Sequence, residues 1–150
     1  TLQSAKIGKS LISKLSSLNI PLSRFANLIH PTAVVSQLSK IGYGVSIHPF
    51  VNIGPGVEIG NFIHIFANCM LGHNAKINDF SYLANKSSIG AYVELMQGSY
   101  VGTSASIREN VTLGEWSLVG MGSVVLQDVD AGKTVVGVPA KEIKPKQPTK

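Results

Sequence analysis

His73 stands in the run Phe66-Ala67-Asn68-Cys69-Met70-Leu71-Gly72-His73-Asn74, directly after an aliphatic–glycine pair. A histidine placed on such a corner reaches solvent or a neighbouring subunit without disturbing a core. An imidazole that titrates near neutrality is suited to taking a proton from an incoming amine or hydroxyl. The other three histidines point elsewhere. His30 and His48 lie eighteen residues apart in Ile-His-Pro contexts and are expected to share one face in structural roles. His64, flanked by Ile63 and Ile65, should point outward and form a short polar and aromatic ladder with Tyr82 and Tyr100. A catalytic zinc would need several histidines gathered together, including a close pair, and the chain has no close pair. No metal is expected.

The elements that must position His73 follow from a strict period. Every sixth residue from Ile29 to Val125 is Ile, Leu or Val, seventeen in succession: 29, 35, 41, 47, 53, 59, 65, 71, 77, 83, 89, 95, 101, 107, 113, 119 and 125. Two residues before each from Val35 onward stands a small or branched residue such as Ala33, Val45, Cys69, Ser81, Ser99 or Ala105, as strand alternation requires when both positions face one narrow interior. Gly recurs one residue after the aliphatic, and Gly or Asn recurs three residues after it, where a tight turn takes positive φ. Each hexad therefore reads as one short strand plus one corner. Three hexads close a triangle of eighteen residues, and stacked triangles align their aliphatic side chains into a continuous core. The expectation is an all-β parallel β-helix of about six coils, about 29 Å tall at about 4.8 Å per coil.

Residues 1–28 break the period. Ile7, Leu11, Ile12, Leu15 and Leu18 recur at helical spacing and Pro21 closes the segment, so a short amphipathic helix packed on the first coil is expected. The β-helix domain is assigned to residues 29–144 and a flexible tail to 145–150. No long insertion interrupts the coils. Phe50, Phe62, Phe80, Tyr92 and Trp116 all fall at the outward corner position, three residues after an aliphatic, which implies contact with another chain or with the terminal helix, and hence self-association.

Composition narrows the setting. The formal charge of +5 is concentrated at the end of the chain, in Lys133, Lys141, Lys144, Lys146 and Lys150. Such a tail suits a ligand bearing several phosphates; no aromatics interleave with the lysines, so nucleic acid is not expected as a partner. Cys69 is the single cysteine and falls at an inward position, which makes it a buried structural thiol and leaves no disulfide framework. There is neither an apolar run long enough to span a bilayer nor a secretion-signal pattern, so a cytoplasmic protein is expected.

The run Gly120-Met121-Gly122-Ser123-Val124-Val125, then Gly132-Lys133, then Val136-Gly137-Val138-Pro139-Ala140-Lys141, resembles the ending shared by hexapeptide-repeat acyltransferases that use acetyl-CoA. Leu28-Ile29-His30-Pro31-Thr32-Ala33-Val34-Val35, together with Gly72-His73, is similar to sugar acetyltransferases of the sialic acid O-acetyltransferase and UDP-N-acetylbacillosamine N-acetyltransferase type. That resemblance implies a left-handed helix, a homotrimer, and direct transfer of acetyl from acetyl-CoA to an amine or hydroxyl of a nucleotide-linked sugar. It implies His73 as general base and the backbone N–H of Ala91 as oxyanion donor. It places coenzyme A in a groove between subunits, near Gly102, Gly120 and Gly137, with Lys141 meeting nucleotide phosphates. Two positions depart from the family pattern. Asn74 replaces the usual acidic residue that orients the histidine, and Tyr82 replaces a second histidine that contacts the cofactor in some members. Full-length relatives also carry an N-terminal sugar-nucleotide-binding domain, of which residues 1–28 resemble the last part. The rival reading is a non-catalytic hexapeptide scaffold, favoured by Asn74 and the lack of a lid.

Overall fold

The computed structural model describes residues 17–143 together with Ser10 and Lys14. Each hexad forms a two-residue strand, and strands eighteen residues apart pair in parallel, as in His64↔Tyr82↔Tyr100 and Leu71↔Ile89↔Ile107. Three flat sheets result. The first face carries Leu28–Ile29, Ser46–Ile47, His64–Ile65, Tyr82–Leu83, Tyr100–Val101, Leu118–Val119 and Thr134–Val136. The second runs from Val34–Val35 to Val124–Val125, and the third from Lys40–Ile41 to Thr112–Leu113. This is a left-handed parallel β-helix of about six coils, as the hexads required. Lys141–Glu142 then turns back antiparallel on Thr134–Val136 and ends the first face.

The inward ladder packs as one continuous core from Val45 to Val135, with Ile63, Ile65, Ala75, Leu83, Ile89 and Leu95 wholly buried. Its first members differ. Ile29 remains 45% exposed and Val35 and Ile41 are only partly buried, because they line the first coil, which has no further coil beneath it among the described residues. Cys69 lies in the core as expected; its thiol donates to the Ala84 carbonyl at 3.1 Å and sits 3.2 Å from Ser87 Oγ. Burial pushes that thiol's pKa up, so it stays protonated.

At the N-terminal end Ser10, Lys14 and Ser17 are helical, and Leu18 N–H donates to Lys14 O at 3.1 Å. Ile7, Leu11, Ile12 and Leu15 of the expected amphipathic helix lie outside the described residues, as do Lys144, Lys146 and Lys150. Leu18 itself is 63% exposed. No helix among the described residues is long and apolar enough to cross a membrane.

The outward corner residues have a backbone that spacing did not reveal. Phe50, Phe62, Phe80, Tyr92 and Trp116 all adopt the left-handed conformation, φ 55° to 62°. Sterics disfavour it for bulky L-residues, whereas Gly and Asn adopt it easily. Phe62 and Phe80 offset that strain by packing. They stack on each other at 5.3 Å between centroids, Phe25 meets Phe62 edge-on at 4.9 Å, and Trp116 covers the face of Gly98. The expectation for all five is contact with another chain or with the terminal helix; for these three residues the structure shows contacts within the chain. Phe50 and Tyr92 remain 64% and 56% exposed.

Candidate active site

His73 occupies the corner between the second and third faces, after Met70–Leu71 and before Lys76–Ile77. The corner is made by Asn74 at φ 56°, whose N–H donates to Pro55 O at 3.0 Å. Its carboxamide then turns back to His73. Asn74 Nδ2 lies 3.1 Å from His73 Nδ1, while Nε2 has no hydrogen-bond partner among the described residues. The side chain is exposed, so Nε2 is free to meet a substrate. The amide matters for the chemistry. With Nδ2 donating, the neutral ring carries its proton on Nε2; with the amide turned over, Nδ1–H donates to Oδ1 and Nε2 is left bare. Only the second arrangement gives a base at the exposed nitrogen. A carboxylate would enforce it, whereas a carboxamide offers both.

One coil above, Ala91 is in register with His73, and the Ala91 N–H has no hydrogen-bond partner among the described residues. Its carbonyl is engaged by Asn110 N–H at 3.0 Å. Gly72 is required beneath it, because a Cβ there would come within 2.6 Å of Ala91 N and 2.8 Å of Gly90 C. A base nitrogen and an unpaired backbone donor therefore sit on one exposed corner. A third group joins them that spacing alone places only among the outward aromatics. The Tyr92 ring meets His73 at 5.1 Å between centroids and 85° between planes, and Tyr92 N–H donates to His73 O at 3.1 Å. The signal for it was a longer interval: Tyr92 stands eighteen residues after Asn74 and nineteen after His73.

The remaining site candidates lie elsewhere on the prism. Tyr82 is on the first face, across the triangle from the His73 corner, in the ladder with His64 (6.1 Å) and Tyr100 (5.0 Å, stacked). Burial raises the Tyr82 pKa, with Tyr100 adding to it. Gly102 and Gly120 lie at the corner between the first and second faces. The space a side chain would fill is taken at Gly102 by the backbone of Met121 and Gly120, and at Gly120 by Val136, so these glycines are needed for stacking coils. Gly137 is different: it is exposed at φ 99°, and a Cβ there would meet nothing nearer than Pro139 O at 3.6 Å. Lys141 lines a cavity of about 480 Å³ at the C-terminal end, formed with Val125, Asp128, Lys133, Pro139 and others. Lys133 is held there by Glu142 at 2.8 Å.

His30 hydrogen-bonds Thr32 Oγ1 at 2.9 Å, and His48 stacks on Phe66 at 4.4 Å. His64 is hydrogen-bonded to Ser46 Oγ at 2.7 Å; burial, and then the charge of His48, lower its pKa. Among the described residues no three of His, Cys, Asp and Glu come together as a metal site.

Residues 25–119, covering most of the coils, match the family described as GMPPB C-terminal domain. The chain belongs to this family. The GMPPB C-terminal domain match includes His73, Asn74, Ala91 and Tyr92 and stops before Gly137 and Lys141. No curated protein matches the chain. Among solved structures, one neighbour is a histidine-to-asparagine variant of perosamine N-acetyltransferase from Caulobacter crescentus in complex with CoA and GDP-perosamine. It is 26% identical with a TM-score of 0.86, over 95% of this chain and 66% of that one. WeeI from Acinetobacter baumannii AYE is 26% identical with a TM-score of 0.84, over 93% of this chain and 67% of that one. A variant of AntD, an N-acyltransferase from Bacillus cereus in complex with dTDP and coenzyme A, is 26% identical with a TM-score of 0.73, over 81% and 82%. This member of the GMPPB C-terminal domain family thus spans about two thirds of the length of the first two neighbours. Its neighbours include sugar N-acetyltransferases, in agreement with the resemblance read from the motifs.

Proposed function

We propose that this chain is an acetyl-CoA-dependent acetyltransferase that modifies an amine or hydroxyl of a nucleotide-linked sugar, with residues 29–144 as the acyl-transfer unit. The observation that carries the reading is the juxtaposition of the exposed His73 Nε2, held through Nδ1 by Asn74, with the unpaired N–H of Ala91 one coil above. The similarity to solved acetyltransferases whose structures contain CoA and a nucleotide sugar supports it.

In this reading Nε2 takes the proton from the acceptor nitrogen or oxygen as that atom attacks the thioester carbonyl directly. The Ala91 N–H faces the oxygen on which negative charge develops; a backbone donor serves that purpose whatever its side chain. Collapse breaks the carbon–sulfur bond and expels the coenzyme A thiolate, which takes up the acceptor's proton from the imidazolium. Asn74 turns its oxygen to Nδ1–H and so stabilises the imidazolium by a hydrogen bond, without the charge that a carboxylate would add.

Coenzyme A is assigned to the first face and the C-terminal end, with Tyr82, Gly102, Gly120, Gly137 and Lys141 along its path. Of the glycines, Gly137 has open space for close approach, and Lys141 offers a cation to a phosphate. Tyr82 and His73 face opposite ways from one prism, so a cofactor touching both requires two chains. A homotrimer with grooves between subunits supplies that arrangement, and the exposed Tyr92 and Phe50 are compatible with it. A single buried thiol suits a reducing cytoplasm.

Calorimetric titration with acetyl-CoA is the first test. Saturable binding near one site per chain is expected. A folded protein that binds none at millimolar acetyl-CoA would make the chain a scaffold instead.

A further inference from the structure

We propose that Tyr92 is a positioning residue for His73, fixing the plane of its imidazole. The catalytic consequence rests on the acyl-transfer reading, but the contact itself stands on the geometry. The aligned corner residues of this column are Gly56, Asn74, Tyr92 and Asn110, all at positive φ. Three of the four are residue types that suit a left-handed corner, and the exception stands over the histidine. A tyrosine here works against the backbone preference.

Of the other left-handed aromatics, Trp116 lies over Gly98 and Phe50 stands exposed, while Phe62 and Phe80 offset the strain by stacking on each other, Phe62 also against Phe25. Tyr92 has no such neighbour among the described residues. Its single ring contact there is with His73, edge to face, in the arrangement that aromatic quadrupoles favour. It is 56% exposed, so core burial does not account for it. Two contacts from two coils thus define the imidazole. Asn74 fixes the Nδ1 edge, and Tyr92 stops the ring from turning about its Cβ–Cγ bond. The Tyr92 N–H, bonded to His73 O, keeps the two residues in register. What remains is Nε2, presented in one direction. An exposed corner histidine would otherwise sample several rotamers, and small misplacements of a base are costly to turnover.

The fold supplies a clean substitution. Asn occupies the same corner position at Asn68, Asn74 and Asn110, so Tyr92→Asn removes the ring while relieving the backbone. Tyr92→Phe keeps the ring and deletes only the hydroxyl. With acetyl-CoA and GDP-perosamine as probes, Tyr92→Asn should lower kcat about tenfold, with KM for acetyl-CoA and the thermal midpoint held or, for the midpoint, raised. Tyr92→Phe should restore kcat to within about twofold of the parent.

In parallel, the His73 ring-proton resonances should move in Tyr92→Asn, which loses the ring current, and hold in Tyr92→Phe. Unchanged His73 resonances in Tyr92→Asn, or a Phe variant as slow as the Asn variant, would overturn the proposal. Should the parent neither bind acetyl-CoA nor turn over, the acyltransferase reading falls separately, and the resonances alone decide whether Tyr92 holds the imidazole.

Discussion

Two corners of the same prism, built from the same hexad, are finished in opposite ways. At the corner between the third and first faces, Asp79 Oδ1 accepts from Asn61 N–H at 2.7 Å, and Asn61 Oδ1 in turn accepts from Tyr43 N–H at 2.9 Å. Aromatic rings from Phe25, Phe62 and Phe80 pack alongside. At the corner between the second and third faces the equivalent N–H, that of Ala91, has no partner among the described residues, as is also the case for Asp79, Gln97 and Glu115 farther along the other corner, but here a histidine stands exposed below it. Asn61 and Ala91 occupy the same place in the hexad, two residues after the aliphatic. Capping by Asn61 and Asp79 satisfies the Tyr43 and Asn61 N–H groups, whereas the open Ala91 N–H keeps a donor for a ligand. The repeat dictates the backbone at both corners, and three or four side chains decide which becomes a seam and which a site.

The contrast between the corners breaks most sharply at the open one. His73→Ala should lower turnover by about 10² to 10⁴ while leaving acetyl-CoA affinity in place, as steady-state rates set beside a calorimetric titration would show. Equal loss of affinity and rate would make His73 a ligand-holding or structural residue. The sealed corner should respond in stability alone. Asp79→Ala strands the Asn61 N–H in a half-buried position and should cost about 1–3 kcal/mol in urea unfolding, with acetyl-CoA binding untouched. An effect on binding there would mean that the two corners are not separable.

The smallest expected effect concerns the first face. His64 has its pKa lowered in the folded state by burial and by His48, so the folded form prefers it neutral. Above the ordinary value of 6.5 it is neutral in both states and its contribution to stability is full; as pH falls below that, the unfolded chain binds the proton first and stability is lost until the folded pKa is passed. Thermal midpoints followed from about pH 7.5 to about pH 5 should therefore fall less steeply in His64→Gln than in the parent. A parallel decline in the two proteins would place the titration elsewhere.

The fold was legible because its core repeats: seventeen aliphatics at one spacing leave a single way to bury them. The exposed corner place of His73 was legible too, since an aliphatic–Gly–His–Asn run has few core explanations. What escaped the sequence depends on contacts between coils. The hexad marks the third place after the aliphatic as a turn, and Gly or Asn there announces positive φ; an aromatic does not, so spacing presents the left-handed Phe62 and Phe80 as outward groups awaiting a partner. Tyr92 falls in the same class by the hexad, although its neighbour eighteen residues back is Asn74. The Asn61–Asp79 seam could have been found in the same way, by reading polar residues at eighteen-residue intervals as well as apolar ones at six. Spacing also left out a second reason for glycine at 102 and 120, where the next coil fills the place a Cβ would take.

Register also turns the chain into a ruler. Leu71, beside His73, aligns with Ile89, Ile107 and Val125 in successive coils, and Val125 borders the C-terminal cavity that Lys141 lines. Three storeys, about 14 Å at about 4.8 Å each, separate the histidine from that end of the prism. A ligand that engages both levels has its reach written into the number of hexads between them. Inserting eighteen residues after Ile107 would preserve every local contact and still lift the cavity by one storey, so that length, unlike any single side chain, is inherited only in whole coils.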